Sequence, residues 1–381
     1  MRKTSFFVII GLLAFTACKK SPSTENDLRL QDERAVGTGG TITVFDNILF
    51  YTGYDATSTA PVPTGVQRIN NSLYVRKFSD AELAGIGKDL KMDVVIKADC
   101  DNYDRIGRVY FSLIKKGENY NEQRAKNIEI GRFITPFMDK NKAVKEVPYH
   151  FSLTNLSDLL QDKTIRANYD VWVGFSVFGV SYSAQKEVVG CSNSNATFFG
   201  TLKFSSSPST TVRKDSVNIV SLSYMKMAGD GEDNELNKSN KTATGAERTI
   251  PLTLSKALKG VKLYLITSSH GANPEGEEYV RRVHNVYFDN QLKSSFTPGG
   301  KSCEPFRQYN TQFNRIYFDS ALPDSYWSRL NWCAGDVIPI REISLGDLAA
   351  GHHTFKIEVK DAQFVEGKGN IIASAYLQGT E

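Results

Sequence analysis

Six segments of the chain alternate apolar with polar residues at a period of two: DVVIK at 93–97, GRVYFSLI at 107–114, YDVWVGFSVFGV at 169–180, VKLYLIT at 261–267, HTFKIEV at 353–359 and IIASAYLQ at 371–378. That period predicts strands. In the second segment Val109, Phe111 and Leu113 share one face and Arg108, Tyr110 and Ser112 the other, the pattern of a half-buried strand. Helical signals are brief. Ser79 to Leu90 opens with a Ser-x-x-Glu capping box, while NLSDLLQDK and SLGDLAAG offer a turn or two each. Clusters of Gly, Asn, Asp and Ser separate the strands, so the pattern predicts an all-β protein of sandwich or jelly-roll type.

A chain of 381 residues exceeds one ordinary core, so two domains are expected. SSSPSTT at 205–211 has a proline and no apolar residue, and is taken as the link between them. The polar stretch at 229–247 reads as a surface loop. Its Asp230, Glu232, Asp233 and Glu235 lack the spacing of a calcium loop.

The amino terminus belongs to neither domain. Arg2 and Lys3 precede an apolar run from Phe6 to Phe15 that is too short to span a bilayer, followed by Thr16, Ala17 and Cys18. This is an export signal, and FTAC resembles a bacterial lipobox, which implies lipid on Cys18. An exported lipoprotein anchored in the outer membrane is expected, touching membrane only through that lipid. KKSPSTEND after it reads as a flexible tether. Loss of Arg2 and Lys3 leaves 44 basic against 42 acidic residues. With no basic stripe, nucleic acid is not an expected partner, and a monomer is expected.

Four cysteines remain in a chain bound for an oxidising compartment. Cys303 and Cys333 share one Gly-rich, polar region and are expected to bridge; Cys100 and Cys191 are left open between pairing and free thiols. No CxxC pair supports a metal site.

Three places hold polar residues that strands do not require. CDNYDR at 100–105 puts Asp104 at the mouth of a strand beside Arg105, which could hold its carboxylate ionised for proton transfer. The alternative is a turn in which Asp101 and Asp104 make Asx bonds and Arg105 faces solvent. YDVWV projects Asp170 and Trp172 from one face, an acid beside an aromatic, as sugar-binding surfaces use. HGANPEGEEYVRRVHNVYF at 270–288 gathers His270, His284, glutamates and arginines, but contains no HExxH and matches no common metal spacing. No GxSxG elbow supports serine catalysis. Adjacent His352 and His353 do not make the His-x-His pair of a copper monooxygenase.

CDNYDRIGRVYF followed by IEIGRFITPF at 128–137 resembles the amino-terminal half of the peptide:N-glycosidase F family. LTNLSDLL, YDVWV, LYLITSSHGA, EEYVRRVHNVYF and SRLNWCAGDVIPIRE continue the resemblance in order from about residue 40. It implies two adjoining eight-stranded antiparallel jelly rolls, at 40–205 and 212–381, with the site in the cleft between them. It implies hydrolysis of the bond joining asparagine to the first N-acetylglucosamine of N-glycosylated peptides and denatured glycoproteins, with no cofactor or metal. A glycan-binding lipoprotein using the same cleft is the competing reading. Carried over by position, the catalytic set is Asp104, Arg105, Glu278 and Arg329, with Asp104 as base toward water. Asp170, Trp172, Trp332, Tyr103, Tyr279 and His270 are expected to bind substrate. The sequence departs from the family pattern at Asp170, where a glutamate is usual, and at Cys100, whose neighbouring partner is missing. It departs also at Gly276 and Val280, which replace a cystine, and at the missing tryptophan before His270.

Overall fold

The computed structural model describes residues 37–209, 217–228, 244–272, 276–312, 314, 316–364 and 369–381. The export signal, Cys18, the tether and the acidic loop residues 230–235 lie outside the described residues.

The first domain contains β1 (Gly40–Tyr51), β2 (Val66–Asn70), β3 (Leu73–Lys77), β4 (Lys88–Ala98), β5 (Ile106–Lys115), β6 (Lys126–Ile134), β7 (Glu146–Ser152), β8 (Tyr169–Val177) and β9 (Ala196–Ser207). The second contains β10 (Val217–Ala228), β11 (Thr244–Leu254), β12 (Leu258–His270), β13 (His284–Phe288), β14 (Gln291–Phe296), β15 (Val337–Ile338), β16 (Arg341–Leu348), β17 (Gly351–Gln363) and β18 (Asn370–Thr380). Each domain is a β-sandwich of antiparallel sheets. In the first, the sheet β1-β9-β4-β7 faces the sheet β15-β6-β5-β8-β3-β2; in the second, β10-β18-β12-β16 faces β11-β17-β13-β14. The short β15 crosses over, pairing Val337 with Phe133 and Ile338 with Arg132 on β6.

Several segments differ from the sequence expectation. The helix that Ser79 caps, with its capping box intact, ends at Gly85, and Lys88–Leu90 already belong to β4. There Gly87 runs so close to Ser207 that a Cβ would sit 1.9 Å from its carbonyl oxygen. SLGDLAAG is not helical: Ser344–Leu348 lie in β16, where Gly346 at φ +79° takes a left-handed conformation beside a register shift opposite Val261. Ser205–Ser207 of the expected linker, and Thr244, Ala246 and Glu247 of the expected loop, are paired strand residues.

The expected half-buried β5 is covered on both faces. Val109, Phe111 and Leu113 enter the main core. On the other face Tyr110 and Ile114 join Leu73, Val75 and Trp172 in a second apolar layer. Strands covered on both faces also recur where the domains meet. Leu263 and Leu265 of β12 point into the second sandwich, while Tyr264 packs against the core of the first, stacked on Tyr376 of β18 at 4.7 Å. Covering both faces removes the polar face an open antiparallel sheet would show, which is why the alternation is weakest in IIASAYLQ, whose Ser374 is buried with its apolar neighbours.

Candidate active site at the domain junction

A cavity of ≈ 230 Å³ opens where the sandwiches meet, lined by Asp104, Arg105, Ile106, Ile134 and Phe178 from the first and by His270, Glu278 and Trp332 from the second. Neither domain alone holds both acids. Behind it, Asp104 and Glu278 also border a small space against Tyr279, Tyr317 and the Cys303 wall.

The loop that carries Asp104 is built around Asp101. This buried carboxylate accepts from the backbone N–H of Tyr103 at 3.0 Å and of Val180 at 2.6 Å, and from Arg105 Nε at 2.7 Å and Nη2 at 3.2 Å. Arg105 is therefore not solvent-facing, and its fork is spent on Asp101 rather than on Asp104. Cys100, one residue earlier, is bonded to Cys191, so the pairing that the sequence left open exists. Where the resemblance left Cys100 without its neighbouring partner, the tie comes from 91 residues away. Asp99, Cys100 and Cys191 converge, but the two sulfurs are already bonded to each other. Gly107, two residues after Arg105, lies beneath the Phe133 ring, where a Cβ would stand 2.1 Å from it. At the other end of β8, residues 178–180 leave the strand, and that departure sets the Phe178 ring in the cavity wall.

Glu278 is held by a different device. Asn331, buried, donates through Nδ2 to the carbonyls of Glu277 at 2.8 Å, Glu278 at 2.7 Å and Val280 at 3.3 Å, stapling the turn. The carboxylate of Glu278 accepts from the Gly271 N–H at 3.3 Å. Trp332 follows Asn331, precedes the Cys303–Cys333 bridge and donates from Nε1 to the Ser269 carbonyl at 2.8 Å.

Electrostatics make the two acids a unit. Confinement in the narrow cavity and then the neighbouring Glu278 push Asp104 up to about 8, against the lowering effect of Arg105. Burial also raises Glu278, less opposed by Tyr279 and the Gly271 N–H. Close carboxyls cannot both ionise cheaply, so the pair retains one proton into the neutral range, shared between them. His270 is neutral, lowered to about 3 by burial and by the nearby Arg132.

Other expected site residues are placed elsewhere. Arg329 is exposed, stacked over Tyr326 at 4.4 Å and Tyr279 at 5.8 Å, outside the cavity lining. Tyr103 packs its ring on Phe137 and under Arg105. Asp170 and Trp172 correct the sugar-binding expectation. Asp170 pairs with Ile114 in the sheet register, eight residues beyond Ile106 on β5, which at ~3.3 Å per residue is about 26 Å from the cavity wall. Lys77, Lys116 and the Gly117 N–H occupy its carboxylate, and Trp172 is buried against Tyr120. His284 is buried, hydrogen-bonded to the Arg282 carbonyl and stacked on Phe296; with His270 and the described glutamates it forms no metal-binding group. His353 pairs with Asp289 and His352 with Thr253, each on the second sandwich.

The sequence missed the apolar lining of Ile106, Ile134 and Phe178, the staple Asn331, and a buried ion pair behind His270, Arg132 with Glu129. Asn331 stood inside a quoted motif, and only three-dimensional proximity reveals what it bonds.

Fold and site together define a class: tandem antiparallel β-sandwiches with a proton-sharing acid pair enclosed at their junction. Family models of the amino- and carboxy-terminal parts of peptide-N-glycosidase F match residues 41–193 and 238–378, respectively. The chain belongs to the peptide-N-glycosidase F family, a family of glycan-related amidases. Among solved structures, PNGF-II is similar at TM-score 0.65 and 20% identity, over 90% of this chain and 66% of that one. The chain thus spans about two thirds of the PNGF-II chain. Recombinant peptide: N-glycanase F matches at TM-score 0.54 and 13% identity, over 90% and 96% of the two chains. PNGase F, described as a glycosylasparaginase from Flavobacterium meningosepticum, matches at 0.53 and 13% with the same coverage. At such identities the likeness to these structures is one of fold. No curated protein sequence matches the chain.

Proposed function

We propose that this protein hydrolyses the amide bond between an asparagine side chain and the first N-acetylglucosamine of an N-linked glycan, releasing the glycosylamine and leaving aspartate. The observation that carries the reading is the Asp104–Glu278 pair enclosed in one cavity at the junction of the two sandwiches, where burial raises the pKa of both acids. Family membership supplies the chemical class, and a solved structure of similar fold, a peptide-N(4)-(N-acetyl-β-D-glucosaminyl) asparagine amidase, suggests the bond.

An unactivated amide is a poor electrophile. Water must lose a proton as it attacks, and the departing nitrogen must gain one; a pair that holds one proton between two carboxyls can do both. One carboxylate of the pair takes the proton of water, and the other, holding the shared proton, donates to the leaving nitrogen. Each transfer contributes typically about a hundred- to ten-thousand-fold. Arg105, fixed by Asp101 at the cavity edge, supplies positive charge toward the developing oxyanion, a kind of contribution worth roughly 3–4 kcal/mol. The half-buried Trp332 offers its ring to a pyranose face.

The test is incubation of a denatured N-glycoprotein with the purified protein. Released glycan, and the mass gain of asparagine converted to aspartate at each occupied site, is the expected result. Intact glycoprotein that the protein nevertheless binds would instead make it a non-catalytic glycan binder; neither release nor binding by folded protein would end both readings.

A further inference from the structure

Arg132 is the largest charged side chain fully buried among the described residues, and it lies between the two domains. All five of its N–H groups are used. Nε and Nη2 bind the two oxygens of Glu129 at 2.7 and 2.8 Å, and Nη2 also donates to Ser374 Oγ at 3.0 Å. Nη1 donates to the Ile372 carbonyl and to Ser268 Oγ, both at 2.8 Å. Glu129 and Arg132 sit three apart on β6, which in a regular strand sets them on opposite faces. Here the ladder passes from Val109↔Gly131 to Tyr110↔Glu129, skipping Ile130, and the bulge returns both to the face that meets the second domain.

The next link is Ser268 Oγ to His270 Nε2 at 2.8 Å. Arginine only donates, so the Ser268 oxygen accepts from Arg132, and because that hydroxyl has no other acceptor among the described residues, its proton goes to His270. Nε2 then accepts. A neutral imidazole accepting at Nε2 carries its proton on Nδ1, and Nδ1 has no partner among the described residues while the ring lines the cavity.

We infer that the Glu129–Arg132–Ser268 chain is a positioning device that locks His270 as the neutral Nδ1–H tautomer, so that the cavity presents an uncharged N–H donor to a carbonyl oxygen of the substrate. The choice of substrate group rests on the amidase reading; the tautomer does not. Arg132 and Glu129 come from the first sandwich, Ser268 and His270 from the second, so the donor is set only when the domains are docked. The guanidinium also opposes a second proton on the ring, keeping His270 a donor from Nδ1 alone.

Long-range proton–nitrogen correlation spectra of the full-length 15N-labelled protein read the tautomer directly, with the His270 signals identified by their loss in His270→Gln. The expected spectrum at about pH 7 is that of the Nδ1–H form. Ser268→Ala, which leaves the Arg132–Glu129 pair in place, is expected to release the lock and give a mixed or Nε2–H spectrum, and Ser268→Thr to restore it. An Nε2–H or protonated ring in the unaltered protein, or an unchanged spectrum in Ser268→Ala, would overturn the inference. In the glycan-release assay Ser268→Ala is expected to lose about tenfold in kcat with KM little changed, recovered in Ser268→Thr. Absence of release by the unaltered protein would count against the amidase reading and leave the tautomer result standing.

Discussion

Asp104 and Glu278 occupy too small a space for two full negative charges, and the pH behaviour of the protein should show it. Loss of the shared proton as pH rises through about 8 removes the acid, so turnover should fall on the alkaline side. Protonation of the second carboxyl of the pair removes the base and limits turnover on the acid side. A bell-shaped profile of kcat/KM is expected, and a flat profile through about pH 9 would rule out a shared proton. Asp104→Asn should lower kcat/KM by about a hundred- to ten-thousand-fold in the same assay. The same group bears on stability. Its folded pKa lies above its unfolded value of 3.8, so between those two values the folded state binds more protons and stability declines as pH rises. Asp104→Asn should therefore be more stable than the unaltered protein at pH 8 by about 1–2 kcal/mol, a gap that closes toward pH 4, measurable by urea unfolding at the two pH values.

Turns and strands decide which side chains reach the site. The Cys100–Cys191 bridge ties the Asp101–Arg105 loop to a segment 91 residues away, and on the chain-entropy estimate its removal in Cys100→Ser/Cys191→Ser costs about 4–5 kcal/mol. Calorimetry should show a clear drop in Tm. Asn331→Leu leaves three carbonyls of the Glu278 turn without their donor, and should cost about 1–3 kcal/mol together with a loss of kcat. Trp172 offers the opposite case. Trp172→Phe should destabilise by roughly 1–3 kcal/mol yet leave KM for glycopeptide unchanged, because the ring packs under Tyr120 far along β8 from the cavity. A raised KM in that variant would return Trp172 to the binding surface.

At the scale of the whole molecule the site is a property of the pairing of two sandwiches, through β15 on β6, the Tyr264–Tyr376 stack and the buried Arg132. The FTAC segment proposes a lipid anchor for this assembly: labelled palmitate should enter the protein in an expressing bacterium and fail to enter Cys18→Ala. Period-two alternation was enough to locate the strands in 93–97, 107–114, 261–267, 353–359 and 371–378, and the one that fills 169–177 of the segment 169–180, because it reflects the pleat itself. The sequence motifs likewise named Asp104, Arg105, Glu278, His270 and Trp332, all of which line one cavity. It could not show that Arg105 would be held by Asp101, since adjacency in sequence says nothing about which neighbour a guanidinium reaches. Nor could it show that Glu129 and Arg132 face the same way, because a bulge reverses the parity on which strand reading depends. Local pattern determined the elements and their polar candidates. Only the tertiary structure decided that the two acids share a proton, since that depends on confinement and on charges brought together from opposite halves of the chain.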